Sequence, residues 1–363
     1  MKQLIIIGLL QIALLITACG QNEKKQAKEK VKIGLLIDPE TPWDALVYQG
    51  VNQVLSQPNS ALSCKYPKSF ELVVGNTHAT PEGAVSAAIE LLNKEKISIL
   101  LGPNTSDAAL PVSEVAEKYN LTMLSITSTH NELTKNKNNI FQFVSSNDRQ
   151  AELIAKLVNK KYGSKNVALV TRRDSSYGQN MVSAIQSSFL KEGIDKPLAV
   201  DYLYFEKDKD FLLESLITNK INVVILPLAS EGVLEVGKYI EQQMEDVQLI
   251  GTDFWEVEKL SSIEYLEGSL VLDHWHHDVS KTKLKWMPTT KALAIDATNL
   301  LVNLFCDLEE ISQSNMSNGL SSVKNFEGIT GTISAFDENQ AVRDMVIVKF
   351  EGGSVKVVDT IGW

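Results

Sequence analysis

Short apolar runs alternate along this chain with stretches whose apolar positions recur every three to four residues. The runs at 32–37, 70–75, 97–101, 166–170, 198–204, 221–226 and 247–250 have strand length. The first six lead in turn into amphipathic stretches at 44–55, 81–93, 107–119, 177–192, 210–218 and 231–243. A brief continuous apolar run suits a strand covered on both faces, and a period of about 3.6 suits a helix. Pro81 fits the first turn of its helix, where its missing N–H costs nothing. Strand and helix in alternation predict parallel sheets with helices on both faces, an α/β fold.

The pattern also echoes itself. Residues 32–38 (KIGLLID) resemble 166–174 (NVALVTRRD), and 97–106 (ISILLGPNTS) resemble 221–230 (INVVILPLAS). The spacing between the two units differs, so this is not a solenoid repeat. Two related lobes explain it better. Ligands of open α/β sheets bind beyond the carboxyl ends of the strands, and in two lobes those ends can face each other across a cleft.

Two neighbouring strands end in small hydroxyl residues. The run 97–101 is followed by Gly102-Pro103-Asn104-Thr105-Ser106, and 122–124 by Ser125-Ile126-Thr127-Ser128-Thr129. The first cluster sits where a helix starts, so free N–H groups and the helix dipole favour an anion there. Hydroxyls both donate and accept. Such a corner suits a small ligand with a carboxylate and an ammonium beside it. The plainer reading of Ser106 is a helix cap.

Composition narrows the function class. The 363 residues are 44% hydrophobic and 22% charged, which is ordinary for a globular chain with room for two cores. The formal net charge of −10, with no basic stripe, argues against a nucleic-acid partner. Lys2 precedes an apolar run at 4–16, too short for a confident membrane span but right for an export signal. The run ends Leu15-Ile16-Thr17-Ala18-Cys19-Gly20, which looks like a bacterial lipobox. That motif implies a signal peptide at 1–18, cleavage before Cys19 and acylation of its thiol. Each buried acyl CH₂ is worth about 0.8 kcal/mol, so a multiply acylated Cys19 is expected to hold the protein on a membrane. Residues 19–30 are then a lipidated, Lys/Glu-rich tether without apolar periodicity. Cys64 and Cys306 remain. An exported protein can join them, but sequence does not decide it, and Cys306 in an apolar helical run also suits a small core residue. There is no G-x-S-x-G elbow, no H-E-x-x-H and no phosphate-binding loop, so catalysis is not expected, nor a cofactor.

These residues together resemble the leucine/isoleucine/valine-binding proteins of bacterial ABC importers, a branch of the type 1 periplasmic-binding-protein fold. The resemblance runs from Val31-Lys32-Ile33-Gly34 through Pro81-Glu82-Gly83-Ala84-Val85 and Gly102-Pro103 to Ser106. It continues with Ser125, Ser128-Thr129, Leu133-Thr134 and Asp174…Tyr177-Gly178, and ends with Phe326-Glu327-Gly328-Ile329-Thr330-Gly331 before Phe336-Asp337-Glu338-Asn339. It implies two Rossmann-like lobes joined by three crossings, near 145–148, 270–273 and 328–332. Lobe 1 is expected at 31–146 plus 272–329, and lobe 2 at 147–271 plus 330–363. A ligand would sit between lobes that close on it.

The resemblance also implies contacts. Ser106 and Thr129 match hydroxyls that hold a ligand carboxylate. Thr127 matches a position whose backbone carbonyl accepts from the ammonium, with Ser128 between. Tyr177 matches a lobe-2 aromatic, Asp253 an acid that pairs with the ammonium, and Asp148 a position at the first crossing. Trp43 and Trp255 are candidates to cover the ligand. The implied partners are a small amino-acid-like solute, permease subunits of an importer and a membrane through the lipid anchor, with the protein exported and facing periplasm or cell exterior. Three departures alter the lobe-2 wall and its surroundings. Ala229 and Ser230 stand where a Tyr is usual, Pro227-Leu228-Ala229 replaces a Gly-rich ending, and Phe143 stands for an Arg. The alternative function is therefore an envelope lipoprotein that senses a ligand or activates a cell-wall partner. The segment His274-Trp275-His276-His277-Asp278 invites a metal, but a surface histidine cluster is the expected reading.

Overall fold

The computed structural model describes residues 29–57, 64–163, 166–277 and 286–362. The leader, Cys19 and most of the expected tether lie outside the described residues. Two mixed, mostly parallel sheets organise the rest. The first contains β1 (Glu29–Ile37), β2 (Lys68–Asn76), β3 (Ile99–Leu101), β4 (Met123–Ser125) and β5 (Ile140–Gln142). Their helices are α1 (Pro42–Leu55), α2 (Pro81–Glu90) and α3 (Ser106–Lys118). The second lobe opens with α4 (Asn147–Tyr162), β6 (Val167–Arg172), α5 (Ser176–Lys191), β7 (Leu198–Tyr202) and α6 (Phe205–Thr218). It continues with β8 (Val223–Leu226), α7 (Ser230–Gln243), β9 (Gln248–Gly251), the short α8 (Val257–Leu260) and β10 (Leu270–Asp273).

The chain then returns. Helix α9 (Thr289–Asp307) packs against α1, where a Cβ at Gly50 would stand 2.7 Å from the Lys291 carbonyl oxygen, so only glycine permits the approach. Next come α10 (Gln313–Ser321), β11 (Lys324–Gly328), β12 (Gly331–Asp337) and β13 (Gln340–Arg343), and finally β14 (Met345–Glu351) and β15 (Ser354–Ile361).

Strand order is β11-β12-β13-β5-β4-β3-β1-β2 in one sheet and β15-β14-β10-β9-β8-β6-β7 in the other. Both parallel cores thus repeat the order second, first, third, fourth, fifth, which is what the internal echo predicts. The first strand of each lobe lies between the second and third, and chain direction across the sheet reverses there. Loops leaving the two strands at that point diverge and leave a crevice. Cores fill both faces: Ile33, Leu35, Leu101, Phe141 and Leu301 on one side of the first sheet, Leu36, Leu100, Ala109 and Val112 on the other. Cys64 and Cys306 are joined by a disulfide. It ties the segment before β2 to the end of α9, so the alternative left open by the sequence resolves toward a bridge.

Three boundaries move. β1 begins at Glu29, so strand starts inside the expected 19–30 tether. β10 runs to Asp273 in the second sheet, because Leu270, Val271 and Leu272 are buried in the second lobe's cores. Residues 331–343, expected in lobe 2, form β12 and β13 of the first sheet. Ile333 and Ala341 pack in the first core, whereas Met345 and Ile347 pack in the second, so the last crossing falls at Asp344.

Candidate ligand-binding cleft

A cavity of about 470 Å³ lies between the lobes, at the switch points of both sheets. From the first lobe it takes Thr41 and the first turn of α1 (Pro42, Trp43, Asp44), the segment from Pro103 after β3 into the first turn of α3 (to Ala108), and Thr127, Ser128 and Thr129 after β4. From the second it takes Tyr177 at the start of α5, Ala229 to Glu231 at the start of α7, Asp253 to Glu256 after β9, and Asp273 and His274 at the end of β10.

The first-lobe corner is built for an anion. Pro103 ends β3, and α3 then starts at Ser106 with Thr105 as an N-cap whose side chain makes no cap bond. Its first N–H groups are therefore not capped by that side chain. Ser106 Oγ lies 3.2 Å from Ser128 Oγ. Thr129, 1% exposed, has an Oγ1 with no partner. A buried hydroxyl without a partner costs free energy that a ligand atom can restore. The Thr127 hydroxyl is already used, donating to the Asn104 carbonyl at 2.9 Å.

The second-lobe wall is anionic and connected. The Tyr177 hydroxyl donates to Asp253 Oδ1 at 2.6 Å and lies 2.8 Å from Thr252 Oγ1. Burial, then Asp253, pushes the Tyr177 phenol well above its usual range, so it stays a donor. His274 Nε2 lies 3.2 Å from Asp253 Oδ2. Burial pulls His274 below its ordinary value against the pull of Asp253, which favours the neutral ring with its proton on Nε2. Nδ1 is then left as a buried acceptor without a partner. Burial also raises Asp273 well above the carboxylate range and raises Glu258 and Asp44.

The structure brings Ser106, Thr127, Ser128, Thr129, Tyr177, Asp253 and Trp43 to one cavity. Two candidates differ. Asp148 is exposed and away from the lining; its backbone N–H and a carboxylate oxygen pair with Asn131 at 2.9 and 2.8 Å, beside the first crossing. It starts α4, and its side chain is spent on that local clasp. Trp255 borders the cavity, but its indole is 2% exposed. Its Nε1–H donates to the Leu226 carbonyl at 2.9 Å and its ring packs near Phe350, so it belongs to the second core. The histidines are no surface cluster: His274, His276 and His277 are 4%, 9% and 4% exposed. Among the described residues no group of three His, Cys, Asp or Glu could hold a metal.

Sequence reasoning missed Asn104, Asp44, Asp273, Glu258 and His274. Only Asn104 carried a local signal, lying inside the hydroxyl-rich turn before Ser106. The others reach the cavity through tertiary packing.

Across the cleft, Asp107 Oδ1 accepts the Ser176 backbone N–H at 3.1 Å, and Asn180 Oδ1 accepts from the Asn147 side chain and the Asn131 backbone at 2.9 and 3.2 Å. The lobes therefore already touch at the helix starts that flank the cavity.

Comparison with known proteins gives a consistent result. Residues 30–354 match the family described as periplasmic binding protein. A Leu/Ile/Val-binding protein of Rhizobium johnstonii is 30% identical over 190 residues, 49% of this chain and 50% of its own. The chain thus spans about half the length of the curated relatives it matches. Among solved structures, a leucine binding protein from Thermotoga maritima superposes with a TM-score of 0.81 at 18% identity, covering 92% of this chain and 99% of that one. The branched-chain amino acid transporter substrate binding protein of Streptococcus pneumoniae, in complex with isoleucine, gives 0.75 at 21%, covering 92% and 99%. At such identities the likeness speaks to the fold alone.

Proposed function

Because the chain belongs to the periplasmic binding protein family, we propose that it captures a small amino-acid-like solute between its lobes and delivers it to an ABC importer. The observation that carries this reading is a pair of opposite recognition ends in one cavity. Thr129 Oγ1 lacks a partner beside Ser106, Ser128 and the uncapped start of α3, and Asp253 is held ready by Tyr177 on the facing wall. A carboxylate suits the first and an ammonium the second. The relatives named for binding amino acids support the class. Ligand contacts on both walls exist only when the lobes are together, so binding favours closure. Export and anchoring through Cys19 belong to the same proposal, and they rest on the leader and its lipobox.

A thermal-shift panel of amino acids, amides and short carboxylates tests it. A ligand at one hundred times its Kd adds about 2.7 kcal/mol of stability and raises the melting temperature. A panel with no shift removes the reading. Asp253→Ala is expected to weaken an amino acid far more than the matching acid without its amine; equal loss for both would remove the ammonium role.

A further inference from the structure

The cavity wall is strongly one-sided in charge. Seven carboxylates and a single ammonium line it. The ammonium, Lys259, is already engaged by Glu231 and Glu256 at 3.1 and 3.2 Å. A zwitterionic head brings only one positive charge, which Asp253 meets. Asp44 on the first lobe then faces the cavity with no basic side chain paired to it among the described residues. Its oxygens accept the Asn104 amide and the Asp38 backbone N–H, both at 2.6 Å.

Asn104 supplies the second observation. It is 7% exposed and lines the cavity. Its Nδ2 donates to Asp44 Oδ1, which fixes the amide orientation, since an ionised carboxylate only accepts. Its Oδ1 is left without a partner. A buried acceptor next to a half-buried carboxylate calls for a donor that also carries positive charge. Pro42 and Trp43, which precede Asp44 in the chain, also line the cavity and offer apolar surface to a methylene stem, and an indole face favours a cation. A leucine or isoleucine side chain placed here would leave the Asn104 oxygen without a donor and the Asp44 charge without a counter-charge, a situation in which sites reject a ligand strongly.

Resting on the reading above, we propose that the solute is a basic amino acid, its head between Thr129 and Asp253 and its cationic tail on Asn104 Oδ1 and Asp44. Burial holds the Asp44 carboxyl above its usual range, and a cation against it would relieve that penalty.

Calorimetric titration of the purified protein with L-arginine, L-lysine, L-citrulline and L-leucine tests this. Citrulline keeps the shape of arginine without the charge. Arginine or lysine is expected to bind about thirtyfold or more tighter than citrulline and leucine. Asp44→Asn is expected to lower that preference about tenfold or more. Asn104→Ala repeats the test from the neutral side, and thermal unfolding of each free variant verifies its folding. Leucine binding as tightly as arginine would overturn the cationic tail and leave the amino-acid reading standing. Absence of binding by all four would overturn the tail and count against that reading as well.

Discussion

Tyr177→Phe isolates one polar contact at the heart of the cleft. The ring stays, with its edge packing on Phe254 at 4.8 Å between centroids, so no cavity opens. What leaves is a hydroxyl bonded to Asp253 Oδ1 at 2.6 Å and near Thr252 Oγ1 at 2.8 Å. The Asp253 side chain is 6% exposed, so water replaces that donor poorly. A hydrogen bond to a charged group is worth about 1.5–3 kcal/mol, about twice a neutral one. Each kcal/mol moves the melting temperature of a domain the size of one lobe by about 2–4 °C, so the free protein should melt roughly 3–12 °C lower. A double-mutant cycle with Asp253→Asn separates the charge-assisted part. The coupling energy between the two positions, from urea unfolding at neutral pH, is expected at about 1–2 kcal/mol. Additive effects, within about 0.3 kcal/mol, would refute the claim that Tyr177 acts on the second-lobe wall through the Asp253 carboxylate.

Two further outcomes follow from the same region. Gly251→Ala would place a Cβ 2.4 Å from the Trp255 ring, which its bond to Leu226 prevents from retreating; urea unfolding should show a loss of about 1–3 kcal/mol, and an unchanged midpoint would contradict the packing argument. His274 and Asp273 should act on pH dependence with opposite signs. The folded state holds His274 below its ordinary 6.5, so its share of stability is present above that value and falls away on acidification; His274→Gln should flatten the loss between about pH 7 and 5. Asp273 is raised by burial, so its ionised form weakens the fold at neutral pH; Asp273→Asn should be stabilising there, with the gain shrinking as pH falls. Urea midpoints of both variants across that range check the signs, and parallel profiles for variants and parent would reject them.

The alternation of short continuous apolar runs with 3.6-period stretches, the echo between residues 32–38 and 166–174, and the hydroxyl clusters at 102–106 and 125–129 were all readable in order along the chain. Each is a local property: an apolar run long enough for a strand, or a strand end feeding a helix start, puts its residues in place through nearest-neighbour geometry. Thus Ser106, Ser128 and Thr129 meet because β3 and β4 are adjacent parallel strands whose ends share one edge.

The rest depended on burial and on which distant segments pack together. Residues 331–343 look like any strand-turn-strand, and only the burial of Ile333 and Ala341 in the first core assigns them to that sheet. The histidines at 274–277 read as polar surface, yet the second crossing carries them inward. Trp255 and Asp148 sit in family-like positions, but one ring is fixed beneath Gly251 and the other carboxylate is held by Asn131. A chain with net charge −10 says nothing of where that charge gathers. Tertiary folding placed seven carboxylates around one cavity and left the buried side-chain oxygen of Asn104, whose amide nitrogen is bonded to Asp44, without a donor. Sequence determines which strands form and where they end; the balance of burial and hydrogen bonding across both lobes decides what the cleft between those ends can hold.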